Sequence, residues 1–157
     1  KMKELLEYRI KMIERLRAAA LEFRLACEAI DDPNEKMEGE WTLHQIASHT
    51  RDVDKFIYGV RIRRTITEDN PEFPSFDADE WMSKNYNKEE SLAGILAEFT
   101  TSMEEVCGIL STQPREAWSR ESRHETIGEG LALQLWVERS LAHIEEHLLT
   151  LKKSRNK

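Results

Sequence analysis

The stretch His143-Ile144-Glu145-Glu146-His147 sits inside a helical pattern, and its reading decides how the rest of the chain is assembled. Histidines four apart stand one turn above each other on the same helical face, so both imidazoles can reach a single ion. The plain alternative is two ordinary helix histidines, because short motifs match freely. At ~100° per residue, Leu133, Trp136, Val137, Ser140, Leu141, Ile144, Leu148 and Leu151 share one arc. His143 and His147 flank that arc beside Trp136 and Ser140, whereas Glu138, Ala142 and Glu145 take the far side. The pair is therefore expected at the interior or its rim, where a histidine needs a partner.

An earlier helix offers one. Thr42 with Gln45 three later is a capping box, and Trp41 before it can close on Ile46 as a hydrophobic staple. From Leu43 onward the apolar face reads Ile46, His49, Val53, Phe56, Ile57 and Val60. His49 lies in the middle of that face, and His44 is placed on the opposite, solvated side. Three further segments carry helical periodicity. In residues 3–30, Ile13, Leu16, Ala20, Phe23, Cys27 and Ile30 give the narrow seam of a bundle helix. A third helix is predicted from Asn87, with Glu90 in the capping-box position, burying Leu92, Ile95, Leu96, Phe99, Met103, Val106 and Leu110 before Pro114. The fourth is predicted to start near Thr126, with Glu129 as its box partner, and to run to about Lys153. Between the second and third, Pro71 and Pro74 mark a loop, and Asp77 with Glu80 can cap a short helix. Phe73, Phe76 and Trp81 in this connection either anchor it or wall a pocket.

These elements predict an all-α fold, a four-helix bundle in a single domain over residues 1–157. A three-histidine site fixes its order. His49 lies ~10 Å from the start of its helix, and His143 and His147 lie only ~9–15 Å from the end of theirs. Their heights match when the second and fourth helices are antiparallel, which asks for an up-down-down-up order. A connection of about twenty residues between helices two and three is long enough for that crossover.

Composition narrows the function classes. A formal net charge of −7, with acids and bases mixed along the helices, lacks the basic face of a nucleic-acid binder. The basic cluster Arg61, Arg63 and Arg64 reads as charge complementing a helix C-terminus, although contact with a ligand stays open. No apolar run approaches ~20 residues, so no membrane span is expected. Lys3, Glu4 and Glu7 come too early for a signal peptide, which predicts a cytoplasmic protein. Cys27 and Cys107 fall at apolar helix positions and read as core residues. A basic tail, residues 152–157, closes the chain.

Three imidazoles on one zinc, nickel or iron ion leave a coordination position for water or substrate. Such a site can acidify water or hold a thiol as thiolate. Asp52, three after His49, is read either as a ligand or imidazole-orienting carboxylate, or as an exposed one. His143 to His147 also fits His-x-x-Glu-His of inverted zinc peptidases. Glu146, however, points ~60° or more outside the histidine pair, which disfavours it as a base.

Taken together, Trp41-Thr42 leading to His49, then Asp52, and much later His143-x-x-x-His147 resemble the DinB/YfiT-like superfamily. The loop with Asn70-Pro71 and Phe76-Asp77, and Gly128 ahead of helix four, are similar too. The resemblance implies a four-helix bundle with a divalent metal on His49, His143 and His147, and frequent homodimers. It also implies a metal-dependent enzyme acting on a small molecule, as a hydrolase or as a transferase or isomerase using a low-molecular-weight thiol cosubstrate such as bacillithiol or mycothiol. The competing expectation is a non-catalytic, stress-related homodimeric bundle with a structural metal.

Overall fold

The seam of apolar residues in the first segment is realised as α1 (Met2–Glu28), in which Leu16, Phe23 and Cys27 are fully buried. Burying each such large apolar side chain contributes roughly 1.5–3 kcal/mol, so the seam commits α1 to the core along its length. The computed structural model describes residues 1–155, so the last two residues of the basic tail lie outside the described residues. A short antiparallel pair, β1 (Lys36–Glu38) and β2 (Trp41–Thr42), leads into α2 (Leu43–Val53). The Thr42 side chain accepts from the Gln45 N–H and the Gln45 side chain from the Thr42 N–H, so the predicted capping box is present.

The rod then continues through one π-helical turn, residues Asp54–Tyr58, into α3 (Gly59–Thr67). A π turn inserts a residue and rotates everything after it. Phe56, predicted on the buried face, is instead exposed and packs on Trp81, with ring centres 4.7 Å apart. Arg61 is turned into the core in its place. After α3 come β3 (Glu72–Phe73), α4 (Ala78–Asn85) and α5 (Leu92–Ser111). Asp77 caps α4 through the Glu80 N–H as expected. Asn87 and Glu90, however, do not start the next helix. Ser91 caps α5 by accepting from the Gly94 N–H, while the Glu90 carboxylate is drawn away to Arg51.

The start of the last helix also differs from expectation. Residues 121–132 form a hairpin, β4 (Glu121–His124) and β5 (Gly128–Ala132), with β3 parallel on the other side of β4. Gly128 and Gly130 have φ of +121° and +67°, conformations no helix start accommodates, so Thr126 and Glu129 cannot act as a capping box. The last helix, α6 (Leu133–Arg155), begins after them. The fold is thus mostly helical, with small strands where an all-α chain was expected. α1 packs against both α5 and α6, and α2 against α5. Trp136, Leu133 and Val137 of α6 are fully buried, as are Ile95 and Phe99 of α5. Among the described residues no helix is long and apolar enough to cross a membrane.

Candidate metal centre

His49 projects from α2, and His143 and His147 project from successive turns of α6. Their Nε2 atoms converge: 3.1 Å separates His49 from His143, and 3.0 Å separates His143 from His147. The three are the cluster of metal-ligating type among the described residues. One ring nitrogen carries a single in-plane lone pair or a single proton, so His143 Nε2 cannot satisfy both neighbours as a hydrogen-bond partner. Lone pairs brought together in this way call for a shared cation. Around tetrahedral zinc with Zn–N near 2.0–2.1 Å, nitrogens would sit about 3.3 Å apart, close to the observed spacing. The residues fit a metal.

The electrostatics agree. His49 and His147 are each about nine-tenths buried. Burial, helped by His147, pushes the His49 imidazole down to about 4. Burial, with His147 and His49 adding to it, pushes His143 down to about 3. Burial lowers His147 as well, against the opposing influence of Glu146 and Glu38. All three rings are therefore neutral at pH 7, the form that ligates. Trp41 sets its edge against His49, ring centres 5.1 Å apart, and Tyr58 stands 6.1 Å from His143. His147 Nδ1 is the one fully occluded side-chain nitrogen or oxygen without a partner among the described residues.

Several other sequence-based assignments change. His44 is not solvated but buried, with Nδ1 2.5 Å from the Tyr86 hydroxyl and Nε2 2.6 Å from the Glu90 carbonyl. Tyr86 and Glu90 fold back over that helix face, a contact no local pattern announces. Asp52 is neither exposed nor among the clustered ligands. It is buried, and it accepts from Arg51 Nε at 2.7 Å and from the Trp81 indole at 3.1 Å. Glu146 is exposed, as its position on the helical wheel required. Of the three arginines, Arg64 pairs with Glu68 and Arg63 reaches Glu105. Arg61 instead lies over the Trp136 ring at 4.8 Å. His124, left in an irregular stretch by sequence reading, is buried beside Trp136 and Arg61. Its alternation with Ser122, buried two residues earlier, is the strand signal that would have found it.

Fold and site together define a helical-bundle protein with a converging three-histidine centre. The DinB superfamily model matches residues 11–151, which include all three histidines, and the chain belongs to that superfamily. No curated protein matches it significantly. Among solved structures it is similar to YfiT from Bacillus subtilis, described as "a probable metal-dependent hydrolase with an unusual four-helix bundle topology". The two share 21% sequence identity with a TM-score of 0.85, over 96% of this chain and 87% of that one. A likeness at that identity establishes the fold.

Proposed function

We propose that His49, His143 and His147 hold one divalent cation and that the chain is a metal-dependent enzyme acting on a small molecule. The observation that carries this reading is the convergence of three neutral, largely buried imidazoles, through their Nε2 atoms, from two helices. A cation held there supplies Lewis acidity to a water, a thiol or a substrate oxygen. Zinc is the first candidate because nitrogen donors with an open position suit it, and nickel or iron bind the same donors. The chain's own part is to keep the imidazoles unprotonated by burial and to shield them with Trp41 and Tyr58. The description of YfiT favours hydrolysis, and a low-molecular-weight thiol cosubstrate is the transferase branch of the same chemistry.

We also infer an up-down-down-up helix order with a crossover between α3 and α5. It is supported by the long connection between α3 and α5, which runs through β3 and α4 and is ample for a crossover. A homodimer is the assembly we propose, supported by Leu6, Ile10, Leu21 and Leu25, large apolar side chains exposed along α1. The decisive experiment is elemental analysis of untagged protein, followed by turnover assays with ester and amide substrates, with and without a panel of small thiols. About one metal per chain, lost in His49→Ala, His143→Ala and His147→Ala, is expected. Full metal content in all three variants would overturn the proposal. Metal without turnover would leave a structural, non-catalytic centre.

A further inference from the structure

Arg61 is a buried guanidinium without a carboxylate. It is 7% exposed, and among the described residues no acidic side chain lies within ion-pairing distance of it. Its Nη2 reaches the Pro74 carbonyl at 3.3 Å and His124 Nε2 at 3.3 Å. The second contact is not a hydrogen bond. The backbone N–H groups of Thr126 and Ile127 both point at His124 Nδ1, at 3.1 and 3.2 Å, and share its one lone pair in a three-centre bond. Nδ1 is thus the acceptor, and the proton of the neutral ring sits on Nε2. Two N–H donors then face each other in a buried place, an arrangement that is costly until an acceptor arrives. Burial together with Arg61 holds the His124 imidazole below its ordinary value, so the ring stays neutral.

Two of the Arg61 donors are also open. Arg61 Nε and Nη1 have no protein acceptor, yet they are not among the fully occluded unpartnered atoms, which comprise only His147 Nδ1 among the described residues. These N–H groups therefore retain an opening to solvent. Arg139, exposed and in no ion pair among the described residues, also stands by Trp136, with its Cζ 5.9 Å from the ring. The nearest acid in sequence, Glu125, accepts from the Ser75 N–H at 2.9 Å and opposes the fall in the His124 imidazole without pairing with Arg61. The Arg61 Cζ is 5.9 Å from the Tyr58 ring, and that ring is 6.1 Å from the His143 ring. Those two contacts hold the guanidinium within about 12 Å of the His143 imidazole.

We propose that Arg61 and His124 form an oxyanion-binding pair, and that the small molecule handled at the three-histidine centre carries a carboxylate or phosphate group that docks there. The pair stands independently, and only its link to a substrate rests on the metal-enzyme reading. Arg61 Nε–H or Nη1–H and His124 Nε2–H both donate to the anion, which removes the donor-against-donor contact. Arg139 draws the anion towards them.

The test is an NMR titration of the full-length ¹⁵N-labelled protein with acetate and, separately, inorganic phosphate, following Arg61 Nε–H and His124 Nε2–H. A saturable shift of both resonances is expected. Response to acetate assigns a carboxylate, response to phosphate a phosphate ester, and either supports the pair. Arg61→Gln should weaken the dissociation constant about tenfold or more while leaving zinc content unchanged. Should Arg61→Gln fail to fold, Arg61→Lys, which keeps the charge but not the planar fork, should show a smaller loss of the same kind. His49→Ala should lose zinc yet keep the anion response, which separates this proposal from the metal reading. The absence of a saturable shift with both anions, or Arg61 variants binding like wild type, would overturn it.

Discussion

One oxygen of the Asp52 carboxylate accepts the Trp81 indole N–H at 3.1 Å, tying the α3–α5 connection to the helix that carries His49. The other oxygen accepts from Arg51 at 2.7 Å, and Arg51 goes on to clasp Glu90 just ahead of α5. Asp52 is therefore a brace. Asp52→Ala leaves a half-buried indole N–H and part of a buried guanidinium unanswered, at a cost of about 1–3 kcal/mol. Urea unfolding should show that loss, while metal content stays at the wild-type level. Loss of metal with unchanged stability would instead make Asp52 a ligand.

The histidines set an acid limit. The folded-state values of His49 and His143, about 4 and about 3, lie below the free value of 6.5, and His147 is shifted the same way. Without metal, the unfolded chain then binds more protons than the folded one, so stability present above pH 6.5 is lost as pH falls through 6.5 towards 4. Metal-free protein should show a melting temperature that drops over that window. His143→Gln should flatten the drop. In the loaded protein, protons compete with metal only near those low values. Zinc should therefore remain bound at about pH 5 and be released to a chromogenic chelator only below about pH 4.

How much of this was legible in the chain can be traced residue by residue. The three histidines were readable because helical periodicity places His49 inside and His143 and His147 at the rim, and that periodicity holds through α2 and α6. It fails at the π turn, which is why Phe56 and Arg61 exchange roles with respect to the pattern. It is also blind to segments that fold back from afar. Tyr86 and Glu90 bury His44, and Trp81 captures Asp52. The hairpin of β4 and β5 was hidden because Thr126 and Glu129 imitate a capping box, while the glycines at 128 and 130 carry the overriding signal.

Asp54 pulls stability in the opposite direction from the histidines. Burial raises its carboxyl to about 6, although Ser102 donates to it at 2.7 Å and Arg63 lies near enough to oppose the rise. The folded-state value is above the ordinary 3.8, so its favourable contribution is complete below pH 3.8 and is lost as pH rises through about 6. The loss is on the order of 3 kcal/mol. Asp54→Asn retains an acceptor for the Ser102 hydroxyl and has no charge to bury. It should be more stable than wild type at about pH 8, by up to that amount, and indistinguishable near pH 4. Urea midpoints at the two pH values decide the matter, and an equal difference at both would rule out the titration as its cause.

Gly59 closes the π turn by donating its N–H to the Asp54 carbonyl. A Cβ there would come within 2.5 Å of that same carbonyl oxygen, a backbone atom with little freedom to yield. In an ordinary helix, replacing glycine by alanine gains about 1 kcal/mol. Here the clash should outweigh the gain, with a net loss of about 1–3 kcal/mol. The consequence should also be directional. His49 precedes the turn, so Gly59→Ala should keep its zinc. Arg61 follows the turn and owes its buried place over Trp136 to the inserted residue, so its response to acetate or phosphate should weaken. A Gly59→Ala protein as stable as wild type in urea, with Arg61 unperturbed, would mean that the π turn does not depend on the missing side chain.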